Sequence, residues 1–202
     1  MKNNIWRIVL ALVVLISGGK YGYDKFENAT GVDFVMIDPV TNDTISFKAK
    51  DIAKNPDKVY KNRDIRKIKS LTFHHTASDT LTTVEQIAKY HVEVNDWAGI
   101  GYHGVIKRDG TFVMTNSIET LSYHNSGENA TSIGIVFMGN YENYELNDKQ
   151  IEAAKYISKA LDIVFDFEEI RAHKDVKGAS TLCCGKNAYR QLTEAGIFKN
   201  NK

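Results

Sequence analysis

The chain has 202 residues, with 26 Lys and Arg against 25 Asp and Glu, which gives a formal net charge of +1 and a pI near 7.7. This balance argues against a nucleic-acid-binding surface, which needs clustered basic side chains, and against a polyanionic tail. The chain has only two prolines, and its two cysteines, Cys183 and Cys184, are adjacent, so neither a proline-rich linker nor a disulfide framework is expected.

The N-terminus combines a basic flank with a short apolar core. Lys2 and Arg7 precede an uninterrupted apolar run over residues 8–16, and SGGK follows it. A membrane-spanning helix needs about 20 apolar residues, so the pattern is more typical of a secretory signal peptide, with an uncleaved anchor as the alternative. We therefore expect residues 1–19 to be a signal peptide or membrane anchor and the protein to be exported.

Residues 20–67 are expected to form a linker and an N-terminal extension that contains a small β-hairpin. Two stretches typical of strands, VDFVMID and DTISFKA, are joined by PVTN, which has the composition of a turn. The strongly basic stretch 54–70 follows the hairpin. We interpret it as a solvent-exposed connection to the main domain.

The main domain is predicted to span residues 68–202, and its first strand is LTFHH. Apolar residues at helical spacing then predict a helix over 82–97, started by a capping box at either Thr82 or Thr83. The Asp109-Gly110 dipeptide between GYHGVIK and TFVM predicts a hairpin turn.

The second half of the domain continues the alternation of strands and helices. SIGIVFM is a nearly continuous apolar run, typical of a strand covered on both faces. Asn147 is the predicted N-cap of a long helix, EEIRAH predicts a further strand, and Gly196 ends a final short helix. The expected fold is a single α/β domain with a central mixed β-sheet flanked by helices, preceded by the apolar segment and the hairpin.

Three potential metal ligands stand at predicted strand ends or in the loop that follows: His74, His173 and Cys183. Adjacent strand residues point to opposite faces, so only one of His74 and His75 can face such a site. Two imidazoles and one thiolate leave a tetrahedral zinc ion one open position, which is the catalytic pattern. A lone histidine at a strand end more often has a structural role, so these residues alone leave both interpretations open.

Four stretches occur in the order seen in one enzyme family: LTFHHTAS, GIGYHGVIKRDGTF, HNSGENATSIGIVFMGNY and IRAHKDVKGASTLCCG. Together they resemble the zinc-dependent N-acetylmuramoyl-L-alanine amidases of type 2, which include phage lysozyme-type amidases and peptidoglycan recognition proteins. The resemblance covers residues 68–196 and implies a Zn²⁺ site held by His74, His173 and Cys183. The ending TLCCG is similar to T-x-C-P-G, with Cys184 where proline is usual.

The resemblance also implies roles for residues around the metal. Tyr102 matches a catalytic tyrosine that would hydrogen-bond the bound water or the developing oxyanion. Thr181 matches a catalytic position that is lysine or threonine in relatives. His124 matches a histidine of the substrate groove, and Asn129 is expected to bind substrate beside it. A packed strand tyrosine and a surface histidine are the alternative interpretations of Tyr102 and His124.

The implied activity is hydrolysis of the amide bond between N-acetylmuramic acid and L-alanine of peptidoglycan, in cell-wall lysis or remodelling. Peptidoglycan is then the expected partner of a monomeric chain that binds no nucleic acid and whose N-terminal segment can engage the membrane. Because this substrate lies outside the cytoplasmic membrane, the implied location is periplasmic, extracellular or membrane-anchored facing the wall. The alternatives are a non-catalytic peptidoglycan-binding recognition module and a cysteine hydrolase using Cys183 with His173.

Overall fold

The computed structural model of the chain describes residues 52–200 and the backbone of two short strands, β1 (Phe34–Ile37) and β2 (Thr44–Phe47). These strands pair antiparallel, with Phe34 opposite Phe47, and form the small hairpin predicted from the sequence. The predicted signal peptide or anchor, residues 1–19, lies outside the described residues. Within the described part, no helix has both the length and the apolar character needed to span a bilayer.

One six-stranded sheet organises residues 52–200. Along the chain its strands are β3 (Ser70–His75), β4 (Gly104–Ile106), β5 (Phe112–Met114), β6 (Ser132–Phe137), β7 (Glu169–Ala172) and β8 (Lys199–Asn200). Across the sheet the order is β5-β4-β6-β3-β7-β8, with four parallel central strands and an antiparallel strand at each edge. The mixed sheet is therefore confirmed, and the edge strand β8 is an addition to the predicted elements.

The α-helices described in this region are α1 (Val84–Glu93), α2 (Asp148–Phe165) and α3 (Lys186–Glu194). Thr83 caps α1 in a reciprocal capping box with Gln86, so the second of the two predicted boxes forms. This helix ends at Glu93 rather than at residue 97, because the chain turns away there and Asp96 has a left-handed φ of 56°. Asn147 caps α2, and Gly196 follows the end of α3, both as predicted.

The two strands at the centre of the sheet are buried along their whole length. Every residue of β3 and β6 is buried, which explains the nearly continuous apolar sequence SIGIVFM. Apolar helix residues such as Ile87, Ala154 and Leu192 belong to the same core. A central strand cannot shift without disturbing both neighbours, so a side chain at the end of β3 is held in a fixed place.

The N-terminal extension packs against the domain through residues 52–63. The Tyr60 hydroxyl donates a hydrogen bond to the Gly99 carbonyl oxygen at 2.8 Å. The Arg63 guanidinium, in a residue that is 9% exposed, donates to three backbone carbonyl oxygens, those of Ile118, Asn129 and Ser132. The stretch predicted to be a solvent-exposed connection is mostly exposed, but it also contains this buried cation.

Candidate metal centre

The adjacent parallel strands β3 and β7 bring two histidines to the same edge of the sheet. Phe73 pairs with Ala172, so His74, the next residue of β3, and His173, the first residue after β7, reach that edge together. The centroids of the two imidazole rings are 4.6 Å apart. His74 is 2% exposed, whereas His173 is only partly buried. The structure thus brings together the two histidines that sequence analysis singled out.

Cys183 lies in the loop between β7 and α3 and completes a cluster of three potential ligands. Its Sγ atom is 3.7 Å from Nδ1 of His74. One ligand atom from each of His74, His173 and Cys183 lies within 4.8 Å of the others. Ordinary Zn–S and Zn–N bonds at a tetrahedral angle place sulfur and nitrogen about 3.6 Å apart. The donor set and its spacing therefore fit a zinc ion.

Two hydrogen bonds fix the loop that carries Cys183. Its carbonyl oxygen accepts the N–H of Lys174 at 2.6 Å, and its own N–H donates to Oγ1 of Thr181 at 3.1 Å. The side chain of Cys184 is fully buried in the hydrophobic core and lies outside the ligand cluster. The adjacent cysteines therefore have different environments, one beside the histidines and one among apolar side chains.

Burial disfavours charge on the three potential ligands. It lowers the pKa of His74 well below the ordinary value, with further contributions from His124 and His173, and it lowers the pKa of His173 as well. Burial raises the pKa of the Cys183 thiol to about 12. Neutral imidazoles can bind a metal, and the charge of a metal ion can deprotonate the thiol. A thiol with a raised pKa is a poor nucleophile, which disfavours the cysteine-hydrolase alternative.

Tyr102 lies just before β4, and its ring centroid is 5.3 Å from that of His74. Its backbone carbonyl accepts hydrogen bonds from the Thr115 hydroxyl at 2.7 Å and from the Asn116 side-chain amide at 2.6 Å. Burial, and to a lesser degree Cys183, raises the pKa of Tyr102. The phenol therefore stays protonated at neutral pH and can donate a hydrogen bond.

The structure places His124 behind His74 and not at the surface. His124 is 6% exposed, its Nδ1 is 3.2 Å from Nε2 of His74, and its Nε2 is 3.2 Å from the carbonyl oxygen of Ser132. The side-chain oxygen of Asn129 accepts the backbone N–H groups of His124 and Asn125. The surface-histidine alternative is thus wrong, while substrate contacts of His124 and Asn129 stay predictions.

A cleft of about 290 Å³ opens beside the ligand cluster, and its walls are formed by Asn125, Ser126, His173, Val176, Lys177, Gly178, Ala179, Ser180 and Thr181. Asn125 is 1% exposed, and its side-chain amide has no hydrogen-bond partner among the described residues. Neither Asn125 nor the buried Arg63 is predicted from the sequence. Arg63 lies in a basic, mostly exposed stretch, so its burial has no local signal. For Asn125 the only signal is that it directly follows His124 in the sequence.

Comparison with known sequences agrees with this geometry. The family model described as N-acetylmuramoyl-L-alanine amidase matches residues 64–186. The chain is 33% identical over 130 residues to peptidoglycan-recognition protein SC2 of Drosophila melanogaster, an alignment covering 59% of this chain and 69% of the relative. It is 31% identical over 98 residues to the endolysin of Klebsiella phage KP32, covering 46% of this chain and 64% of the relative.

Solved structures share the fold. The N-acetylmuramoyl-L-alanine amidase LysC of Clostridium intestinale URNW aligns with a TM-score of 0.60 at 24% identity, covering 71% of this chain and 97% of that structure. Bumblebee PGRP-SA aligns with a TM-score of 0.61 at 26% identity, covering 71% and 89%. These findings confirm the resemblance inferred from the order of the four motifs. The chain belongs to the N-acetylmuramoyl-L-alanine amidase family, whose model matches more than half of its residues.

Proposed function

We propose that the chain is a zinc-dependent N-acetylmuramoyl-L-alanine amidase that hydrolyses the amide bond between N-acetylmuramic acid and L-alanine in peptidoglycan. The observation that carries the proposal is the convergence of His74, His173 and Cys183, whose ligand atoms lie within 4.8 Å of one another beside the cleft. Three protein ligands with a fourth position free are the pattern of a catalytic zinc site. The family and the phage endolysin relative support the substrate class.

The chemistry follows from what an amide needs in order to react with water. A zinc ion held by His74, His173 and Cys183 would polarise the scissile carbonyl group and lower the pKa of water. The protonated Tyr102 hydroxyl would donate a hydrogen bond to the negative charge that develops on the carbonyl oxygen. Thr181, in the wall of the cleft, offers a second, neutral donor. It brings no positive charge, so it stabilises an oxyanion less than a lysine would.

The proposed substrate lies outside the cytoplasmic membrane, so the protein has to leave the cytoplasm to reach it. The basic flank and apolar run of residues 1–19 support export, with the chain either released or anchored facing the cell wall. This support is independent of the metal centre, because residues 1–19 and the three potential ligands lie in separate parts of the sequence.

Digestion of purified sacculi tests the proposal. The zinc-loaded full chain should release stem peptides with a free N-terminal alanine, identified by amino-group labelling and mass spectrometry. Protein stripped of zinc by a chelator is the matched control and should release none until zinc is restored. New reducing sugar ends without free alanine would indicate cleavage of the glycan and would overturn the proposal.

The name of a relative, peptidoglycan-recognition protein SC2, indicates recognition of peptidoglycan. Peptidoglycan binding, whether or not hydrolysis follows, is therefore the second candidate function. Co-sedimentation in the same digestion separates the two candidates. A chain that contains stoichiometric zinc and sediments with sacculi, but releases no peptide, would be a recognition module.

A further inference from the structure

We propose that His124 is a positioning residue of the metal centre, which fixes the ring of His74 so that Nδ1, and not Nε2, faces the metal ion. This role rests on the zinc site of the proposed function and differs from a contact with substrate. A chain of hydrogen bonds carries the inference. It begins at the backbone carbonyl of Ser132 and ends at the ligand atom of His74.

The first step fixes the tautomer of His124. Its Nε2 is 3.2 Å from the carbonyl oxygen of Ser132, and a carbonyl oxygen can only accept a hydrogen bond. The hydrogen therefore sits on Nε2 of His124. In a neutral imidazole the other nitrogen is then an acceptor, so Nδ1 of His124 presents a lone pair.

The second step transfers this constraint to His74. Its Nε2 is 3.2 Å from Nδ1 of His124, and the two rings meet edge to face at 90°. Because Nδ1 of His124 accepts, Nε2 of His74 has to donate. The lone pair of His74 is then on Nδ1, the atom 3.7 Å from Sγ of Cys183. Metal-bound histidines generally donate their other N–H to a partner that orients the ring.

The surroundings of His124 leave its ring little freedom to turn. The carbonyl oxygen of Ser132 also accepts a hydrogen bond from the buried Arg63 guanidinium, which helps to hold this acceptor in place. On β6, Gly134 lies directly against the ring, because a Cβ atom built there would be 2.4 Å from Cγ and Nδ1 of His124. A glycine at this position thus makes the space that the ring fills.

Zinc affinity of the full chain, measured by competition with a chromophoric chelator, tests the inference without relying on activity. His124→Leu removes the acceptor and should weaken zinc binding by about 10- to 100-fold. His124→Asn restores an acceptor oxygen near the position of Nδ1 and should recover most of that loss. A folded His124→Leu protein that binds zinc as tightly as wild type would overturn the inference, as would a folded His124→Asn protein that binds no better than His124→Leu.

A second measurement needs no variant, so it tests the inference even if His124→Leu fails to fold. Long-range ¹H–¹⁵N correlation spectra of the zinc-loaded wild-type chain should show a protonated Nε2 and a metal-bound Nδ1 for His74. A wild-type chain that binds zinc through Nε2 of His74 would overturn this inference and leave the proposed function standing. A wild-type chain that binds no zinc would overturn both.

Discussion

The candidate metal centre has one half carried by a strand and one half carried by a loop, and the two halves are built differently. On β3, His74 is 2% exposed and one of its ring nitrogens is hydrogen-bonded to His124. In the loop 173–185, His173 and Cys183 are partly exposed, and the intervening Leu182 is 71% exposed. The sheet therefore fixes the position of His74, whereas the partly exposed loop carries the other two potential ligands and forms part of the wall of the cleft.

Replacing Cys183, the thiolate ligand in the loop, is expected to have the largest effect. Cys183→Ser substitutes a weak alcohol ligand for a thiolate, so the protein should lose stoichiometric zinc and its hydrolytic activity should fall at least about 1,000-fold. Zinc content after mild dialysis, measured by elemental analysis, and peptide release from sacculi check the two outcomes.

Cys184→Ser is the matched control for that substitution. It introduces a hydroxyl into a fully buried apolar position, so it should lower the thermal midpoint of unfolding and leave zinc content unchanged. If zinc were lost on Cys184→Ser and kept on Cys183→Ser, the ligand would be Cys184, and the loop would hold the metal ion through the other sulfur.

The strand-borne half was the easier one to predict from the sequence. Alternation along a strand requires His74 and His75 to face opposite sides, and the two do have different partners. Nδ1 of His75 accepts the backbone N–H of Tyr141, while His74 contacts His124 and Cys183. Strands β3 to β7, the Asn147 cap and the mixed sheet are also predictable from the sequence, because short-range periodicity and capping chemistry determine them.

Contacts between distant parts of the chain were not predictable in the same way. The hydrogen bond between His124 and His74 is one such contact, because the two residues are separated by 50 positions in the sequence. Arg63 was assigned to a solvated stretch because its neighbours are polar, and only the three carbonyl oxygens that converge on it explain its burial. Such partners come from the folded arrangement of several loops and leave no local pattern.

Tyr102→Phe is expected to have the second largest effect. The substitution removes only the hydroxyl, so a donor to the developing oxyanion is lost while the ring stays packed 5.3 Å from His74. The turnover number should fall by about 100- to 1,000-fold, in line with the loss of one oxyanion donor. Zinc content and the unfolding midpoint should match wild type. An unchanged turnover number with a raised KM would instead place Tyr102 among the substrate-binding residues.

His91 is a buried histidine near the strand-borne half that contacts none of the three potential ligands. Its substitution therefore tests how burial of a neutral imidazole affects stability. His91 is 7% exposed, and its Nδ1 accepts the N–H of Gly101 at 3.0 Å. Burial lowers the pKa of His91 from 6.5 to about 4, so the unfolded chain binds this proton more tightly than the folded chain does. The stability contributed by neutral His91 is complete above pH 6.5 and is lost as the pH falls towards 4.

His91→Gln should therefore flatten the pH dependence of stability. Between pH 7 and pH 5, the free energy of unfolding of the zinc-free wild type should fall by about 2 kcal/mol more than that of the variant. Urea denaturation at the two pH values measures the difference. Equal losses in both proteins would mean that His91 titrates alike in the folded and unfolded chains.

Thr181→Val should have the smallest effect on zinc affinity, and it tests how firmly the loop holds Cys183. The two side chains have similar volumes, but valine cannot accept the N–H of Cys183, which Oγ1 of Thr181 accepts at 3.1 Å. The loss of one such hydrogen bond costs about 1 kcal/mol, equivalent to zinc binding that is roughly fivefold weaker. Thr181→Ser keeps the hydroxyl and should bind zinc like wild type. If Thr181→Val kept full zinc affinity and lost only turnover, the hydroxyl would act solely as the second donor proposed above, and the loop would hold Cys183 without it.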